Sequence, residues 1–342
     1  MKKLLNVLFV TTPDAFVNLE NDNVCVKKDN EIILRVPLLN LEQLVLFNYF
    51  GATPQLLGEC AKRGISISFL SEHGRYLGTF NGESNGNVLL RKEQYRISDD
   101  SRALDFARNF IFGKLHNQKW VIERAIRDYP LRVDTILLKK QSDFLTTQLK
   151  KVLDCKSADV LRALEGNAAH LYFSAFDDLI LQHKDFFVFQ NRNRRPPTDP
   201  INAMLSFAYT LLTSECRRAL EAVGLDSYVG FFHTDKPGRA SLALDLMEEL
   251  RAHYADRFVL SLINRGEIKE VDFEFQSSGA VFLSDESRKK FLSSWQQRKR
   301  EEITHPFLKE KMAWGLIPYV QALLLARTIR GDLKEYPPFL WK

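Results

Sequence analysis

Asn81-Gly82-Glu83-Ser84-Asn85-Gly86-Asn87 is the stretch on which the reading of the fold turns. Small polar residues with two glycines mark a linker, and the hydrophobic period changes across it. Upstream, short runs of Val, Ile, Leu and Phe alternate with turn clusters such as Glu20-Asn21-Asp22-Asn23 and Lys28-Asp29-Asn30, the pattern of β-strands. Strands are predicted over residues 4–10, 15–19, 24–26, 32–36, 44–50, 65–70 and 76–80. One short helix opens at Thr53-Pro54 and ends near Gly64. Downstream, the apolar period is about 3.6, and amphipathic helices are predicted over 87–97, 101–117, 120–129 and 133–152. The expected fold class is α+β. A small β-rich domain, sheet or sandwich-like, spans residues 1–80, a linker 81–87, and a larger all-α domain 88–342. The first domain holds no plausible catalytic cluster and reads as a scaffolding or dimerisation module.

Composition narrows the class. The 342 residues are 45% hydrophobic and 27% charged, as in a globular protein with room for about two domains. Cys25, Cys60, Cys155 and Cys216 are far apart and form no CxxC pair. That indicates neither a zinc ribbon nor a disulfide framework and fits a reducing, cytoplasmic setting. The opening Met1-Lys2-Lys3 and the apolar run behind it superficially resemble a signal peptide. The run is short, contains Asn6 and lacks a small-residue cleavage site, so it reads as a strand. No apolar run approaches the ~20 residues of a membrane helix. The net charge of +5 is uneven: residues 1–85 carry 8 Lys and Arg against 9 Asp and Glu, the remainder 40 against 34. The helical part is the better candidate for a polyanion partner.

Within that part, FFHTDKPGRASLALDLMEELR, residues 231–251, is the richest segment. Pro237 and Gly238 keep its first half out of a helix. From Ser241, a reasonable N-cap, strong helix formers follow. Asp245, Glu248 and Glu249 stand three and four apart and share a helix face. A loop histidine, His233, is thus delivered near clustered acids, and nitrogen with carboxylate oxygen is a ligand set for Mn²⁺, Mg²⁺ or Zn²⁺. The same residues also read as a solvated acidic face beside an ordinary histidine. Glu165 lies in a helix beginning at Ser157, on the edge of the apolar stripe Ala169, Tyr172, Phe173, Phe176, Leu179 and Ile180. A carboxylate there needs a partner, an arginine or a metal. Gly166 costs about 1 kcal/mol relative to alanine inside a helix, so something is expected to approach its backbone. Arg192-Asn193-Arg194-Arg195-Pro196-Pro197 forms a stiff basic loop suited to phosphate, followed by a helix capped by Asp199 with Pro200 in its first position. Arg91, Arg96, Arg102, Arg108 and the run Arg298-Lys299-Arg300 read either as solvated faces or as phosphate contacts. Residues 314–330 read as a last helix, and the Pro-rich aromatic end, 336–342, as a tail on the surface.

Four fragments in this order carry a resemblance: LEGNAAHLYF around Glu165, RNRRPPTDPINAMLSFAYTLL from Arg192, FFHTDKPGRASLALDLMEELR from Phe231, and the closing helix with its Tyr-Pro-Pro-Phe tail. Together they resemble the CRISPR-associated spacer-acquisition integrases, the near-universal first protein of those systems, over essentially the whole chain. The length and the RNRRPP wording are similar to the type I-C branch. The resemblance implies a dimerising β-rich N-terminal domain and a helical C-terminal domain that binds metal and DNA. It implies a divalent ion, Mg²⁺ or Mn²⁺, held at positions matching Glu165, His233 and Glu248. Asp245 is an adjacent acid with a catalytic part of its own, and the choice between Asp245 and Glu248 as third ligand stays open, because many relatives carry Asp there. Asn202 is expected to support the site, Tyr172 or Tyr209 to lie near it, and Arg194, Arg195, Lys236 and Arg239 to contact DNA phosphates. The implied activity is that of a metal-dependent endonuclease and transesterase inserting short duplex DNA into a CRISPR array by 3′-hydroxyl attack on a phosphodiester. The implied partners are double-stranded DNA (prespacer and repeat with leader), a second copy in a homodimer, and a small ferredoxin-like second CRISPR-associated protein in a heterohexamer-type complex. Two other readings are a non-enzymatic nucleic-acid scaffold, which predicts Glu165 paired with an arginine and no open cleft, and a general structure-specific nuclease.

Overall fold

The structure, a computed structural model, describes residues 6–48, 50–72, 76–82 and 88–342. The start of the strand predicted at 4–10, the Gly74 turn and residues 83–87 of the expected linker lie outside the described residues. Polar turn clusters cut the first part of the chain into β1 (Val7–Val10), β2 (Phe16–Glu20), β3 (Asn23–Lys28), β4 (Glu31–Pro37) and β5 (Gln43–Leu46), then α1 (Pro54–Arg63), β6 (Ser66–Leu70) and β7 (Tyr76–Phe80). The helical part follows: α2 (Val88–Ser98), α3 (Ala103–Asp128), α4 (Thr135–Leu153), α5 (Ala158–Ser174), α6 (Pro200–Ala222), α7 (Ser241–Leu250) and α8 (Arg257–Asn264). A hairpin, β8 (Phe273–Phe275) with β9 (Val281–Leu283), then precedes α9 (Asp285–Lys299) and α10 (Ile317–Ile329). A small β-sheet region followed by a mostly helical domain is the α+β arrangement read from the sequence.

Contacts divide the chain into two compact units. The first contains Met1–Asn85 with Asp285–Ile303 and Ala313–Leu316. In it, β2, β3 and β4 form an antiparallel meander, its turns carried by Asn21, Asp22, Asp29 and Asn30 at positive φ, which Asn and Asp tolerate. In a second sheet β1, β5 and β6 run parallel and β7 antiparallel. Parallel neighbours need a crossover, and α1 supplies it between β5 and β6. Thr53 caps α1 by accepting from Leu56 N–H at 3.3 Å, and Gly64 ends it at φ 67°. Val17, Val24, Val26, Leu44, Leu46, Leu56 and Ile67 fill the core. In α9 the basic run is not simply solvated: Lys299 is buried, and the Arg298 guanidinium lies over the Trp314 ring.

The second unit contains Gly86–Ser284, Thr304–Met312 and Ile317–Lys342. Four features differ from the sequence reading. The two helices expected at 101–117 and 120–129 are the single helix α3: Asn117 and Gln118 at the expected break are buried, and Asn117 bonds to Glu249 O and Phe339 O. Ser241 is not the cap of α7: Ala240 takes that position, and the Ser241 hydroxyl donates to Thr234 O at 3.2 Å. Arg96 and Arg102 are exposed, as on a solvated face, but Arg91, Arg96, Arg102 and Arg108 are all engaged within the chain, with Gly224 O, Glu93, Asp100 and Asp105 among their partners. The tail does not simply lie on the surface, since Tyr336 is 2% and Phe339 0% exposed. As expected, Asp199 caps α6, accepting from Asn202 N–H at 2.8 Å, with Pro200 first in the helix. α7 and α8 are joined by a π-helical turn, Arg251–Asp256, a distortion frequent at functional sites. Among the described residues no helix is long and apolar enough to cross a membrane.

Candidate metal and nuclease site

The acids of α7 are not a solvated face: Asp245, Glu248 and Glu249 are 0%, 4% and 0% exposed. Buried carboxylates must be satisfied, and each of the three is satisfied differently. Asp245 spends both oxygens on the loop before α7. Oδ2 accepts from the N–H groups of Phe231 at 2.6 Å and Phe232 at 3.0 Å. Oδ1 accepts from His233 N–H at 2.9 Å and faces His233 Nδ1 at 2.6 Å. Gly230 permits this close wrap, because a Cβ there would lie 2.8 Å from Asp245 Oδ2. A carboxylate on Nδ1 makes that nitrogen the N–H donor and leaves the Nε2 lone pair available. Nε2 stands 4.0 Å from Glu248 Oε1.

Glu248 gathers positive charge. Arg251 Nη1 lies 2.8 Å from Oε1 and Lys114 Nζ 2.7 Å from Oε2. Burial pushes its pKa up, but Arg251, Lys114 and His233 outweigh burial and hold the carboxyl down at about 2. Lys114 reaches the site from α3 and is 95% buried by side chain; the same ammonium contacts Glu165 Oε1 on α5. One cationic group therefore bridges Glu165 and Glu248. Glu165 is paired, but with a lysine from another helix and not with an arginine. A Cβ on Gly166 would meet nothing within 4 Å, so the close approach expected there is not made by this chain.

Among the described residues no three His, Cys, Asp or Glu side chains close around one point as a ready metal shell. The donor chemistry nevertheless fits a divalent cation. His233 offers an imidazole nitrogen with its lone pair free. Glu248 is ionised, and its buried Oε2 has an ionic contact without hydrogen-bond geometry. Glu165 offers a second carboxylate sharing the same cationic neighbour, and nitrogen with oxygen ligands suits Mn²⁺ at least as well as Mg²⁺.

Behind Glu248, the Arg251 guanidinium lies 4.2 Å from the centre of the Tyr209 ring, and that of Arg192 5.2 Å from it. The Tyr209 hydroxyl donates to Asp256, whose carboxyl burial pushes up. Tyr172 is fully buried in the same region, near Asp256. Asn202 folds the basic loop: its Oδ1 accepts from Arg192 Nη1 at 2.6 Å and Asn193 N–H at 3.2 Å, and its Nδ2 donates to Asn191 O at 2.8 Å. Arg192 is thereby turned inward, while Arg194, Arg195 and Lys236 are exposed and Arg239 half-buried. Sequence reasoning missed Lys114 and Arg251. The signal for Lys114 was a lysine inside the apolar stripe of α3, four residues after Phe110. For Arg251 it was the spacing of three after Glu248.

The fold is shared with a casposase bound to integration product, at a TM-score of 0.85 and 22% identity, over 99% of this chain and 95% of that one. It is also shared with a chain of a Cas6-RT-Cas1–Cas2 complex, at a TM-score of 0.81 and 25% identity, over 100% of this chain and 36% of that one. "CRISPR-associated endonuclease Cas1 1" of Chlorobaculum tepidum is 46% identical over 343 residues, 100% of both chains. By class, then, the protein is a CRISPR-associated nuclease. More narrowly, the model of the family described as CRISPR associated protein Cas1 matches residues 8–297, and the chain belongs to the Cas1 family.

Proposed function

We propose that this Cas1-family endonuclease joins short duplex DNA into a CRISPR array, using a divalent ion, Mg²⁺ or Mn²⁺, held by Glu165, His233 and Glu248. The observation that carries the reading is the shared cation position: Glu165 and Glu248, from two helices, both contact Lys114 Nζ, beside an imidazole whose Nδ1 is fixed by Asp245. When bound, the ion supplies Lewis acidity at the phosphodiester and orients its oxygens. The chain's own residues do the rest. Asp245 keeps the proton on Nδ1 and aims Nε2, so it positions the ligand and is not one itself. Lys114 and Arg251 keep Glu248 ionised, and Arg194, Arg195, Lys236 and Arg239 offer phosphate contacts around the site. The relatives' naming as endonucleases, the casposase's integration product and the Cas2 named in the complex support DNA joining with a small second CRISPR-associated protein. A homodimer through the β-rich domain of residues 1–80, a catalytic helical domain over 88–342, a heterohexamer-type assembly, a cytoplasmic setting and a type I-C origin belong to the same reading.

The test is strand transfer of a duplex with a free 3′-hydroxyl into a repeat-bearing plasmid, with Mn²⁺ and the companion protein. Wild type is expected to join, and Glu165→Ala and Glu248→Ala to lose joining while staying folded and binding DNA. Joining that survives both substitutions refutes the ligand set. DNA binding with no cleavage or joining in wild type points to the scaffold, and cleavage without joining to a general nuclease.

A further inference from the structure

Residues 336–341 are tied to the back of the site by a closed ring of hydrogen bonds. Glu249, the neighbour of Glu248, accepts from the Tyr336 hydroxyl, from Gln321 Nε2 at 2.9 Å and from Phe339 N–H at 2.8 Å. Asn117, one turn along α3 from Lys114, donates through Nδ2 to Glu249 O at 2.6 Å and to Phe339 O at 2.7 Å. Its Oδ1 accepts from Trp341 N–H at 3.0 Å. The three elements meet at Gly113, beside Lys114: a Cβ there would lie 2.8 Å from Glu249 Cβ and 3.1 Å from Pro338 Cβ. Glu249 is thus the direct neighbour of Glu248 and Asn117 lies one turn from Lys114, while Gln321 of α10 donates to the Tyr336 hydroxyl at 2.8 Å and to Pro337 O at 3.2 Å.

We infer that residues 336–341 are a positioning strap that sets the spacing of α3 and α7, and so of Lys114 and Glu248. The inference rests on the reading of the site proposed above. α3 and α7 approach closely at Gly113, where the Lys114–Glu248 ion pair and the Asn117 Nδ2–Glu249 O hydrogen bond cross between them, and the placement of Asn117 and Glu249 is in turn fixed by what else they bond. The strap supplies that bonding from a third element, through an acid and an amide that are both fully buried. It makes no contact with DNA or metal in this role, and it acts through Glu248.

The experiment compares wild type, Tyr336→Phe, Glu249→Ala, Glu249→Gln and Glu165→Ala at full length. Two readouts are taken: Mn²⁺-dependent DNA cleavage, resolved into kcat and KM, and amide hydrogen exchange of the metal-free, DNA-free protein. Displacing a reacting group by about 1 Å lowers rates by up to about 10²-fold. Tyr336→Phe and Glu249→Ala are therefore expected to lower kcat by about 10- to 100-fold, with KM for DNA within about twofold. Exchange should rise in peptides spanning 113–117 and 245–251 and stay unchanged in residues 16–70. Glu249→Gln keeps an acceptor for Phe339 but turns an NH2 toward the Gln321 amide, so its kcat is expected to fall between that of wild type and that of Glu249→Ala. Unchanged exchange at both helices, or raised exchange with unchanged kcat, overturns the strap. If Glu249→Ala does not fold, Tyr336→Phe, which removes a single oxygen, decides the matter by the same criteria. A Glu165→Ala variant as active as wild type would overturn the ligand set instead, a result separable from the strap because exchange needs neither metal nor DNA.

Discussion

Glu20 in β2 and Glu248 in α7 both have a carboxyl held at about 2, and they reach that value by opposite routes. Glu20 stands on an open sheet, its side chain 31% exposed. The hydrogen bond from Lys27 is the largest cause of the lowering, followed by that from Asn18, with Lys27 Nζ at 2.5 Å and Arg35 Nη2 at 3.2 Å. Water can take over each of those contacts, and solvent screens the charges. At Glu248 burial works against ionisation, and only Arg251, Lys114 and His233 sustain it. Glu248 is only 4% exposed, so little solvent is at hand to replace them. Equal acidity thus conceals unequal dependence. The sheet carries an ordinary surface ion cluster, whereas the helical unit keeps an ionised carboxylate where its partners are indispensable, the condition under which charge can act on a substrate or ion.

The largest effect is expected at Lys114. Lys114→Met leaves Glu165 and Glu248 without their shared ammonium, and breaking a buried pair on one side costs about 3–5 kcal/mol. Because Arg251 remains, a loss of about 3 kcal/mol in urea unfolding is expected. Added Mn²⁺ should recover part of it, by occupying the position the ammonium leaves. Next comes Asp245→Asn, which keeps the side chain's size but removes the charge holding His233 Nδ1–H and turns an NH2 toward N–H donors of the loop. Loss of such an outer partner typically lowers metal affinity or activity about 10- to 100-fold, measurable as Mn²⁺-dependent cleavage with the far-UV spectrum unchanged. The smallest effect belongs to Glu20→Gln, for which no resolvable change in thermal midpoint is expected at raised salt. A Glu20→Gln variant as destabilised as Lys114→Met would break the comparison.

What the sequence made legible divides along the same line. Local rules sufficed where a few neighbouring residues decide the outcome: Thr53-Pro54 and Gly64 bounding α1, Asp199-Pro200 opening α6, and Pro237-Gly238 keeping His233 in a loop. The change of period near residue 81 likewise separated the strands from the helices. Spacing brought Asp245 and Glu248 to one helix, but it could not show which side of that helix was buried or divide the work between them. That division depends on the N–H groups of Phe231, Phe232 and His233 converging on Asp245, a tertiary event. Lys114 escaped notice because its partners lie 51 and 134 residues away, and a lysine on an amphipathic helix ordinarily points to water. The tail was misread for a similar reason. Its prolines and aromatics suit a tail lying on the surface equally well until Glu249 and Asn117 supply the bonds that hold Tyr336 and Phe339 in the interior.

The central claim is that the point between Glu165 and Glu248, held by the Lys114 ammonium, is also where a divalent ion binds. Calorimetric titration of Mn²⁺ into wild type, Glu165→Ala and Glu248→Ala addresses it without DNA or turnover. The account predicts a saturable binding event in wild type that is lost in both variants, while all three keep the same far-UV spectrum. Mn²⁺ binding of equal strength and stoichiometry in all three would contradict it.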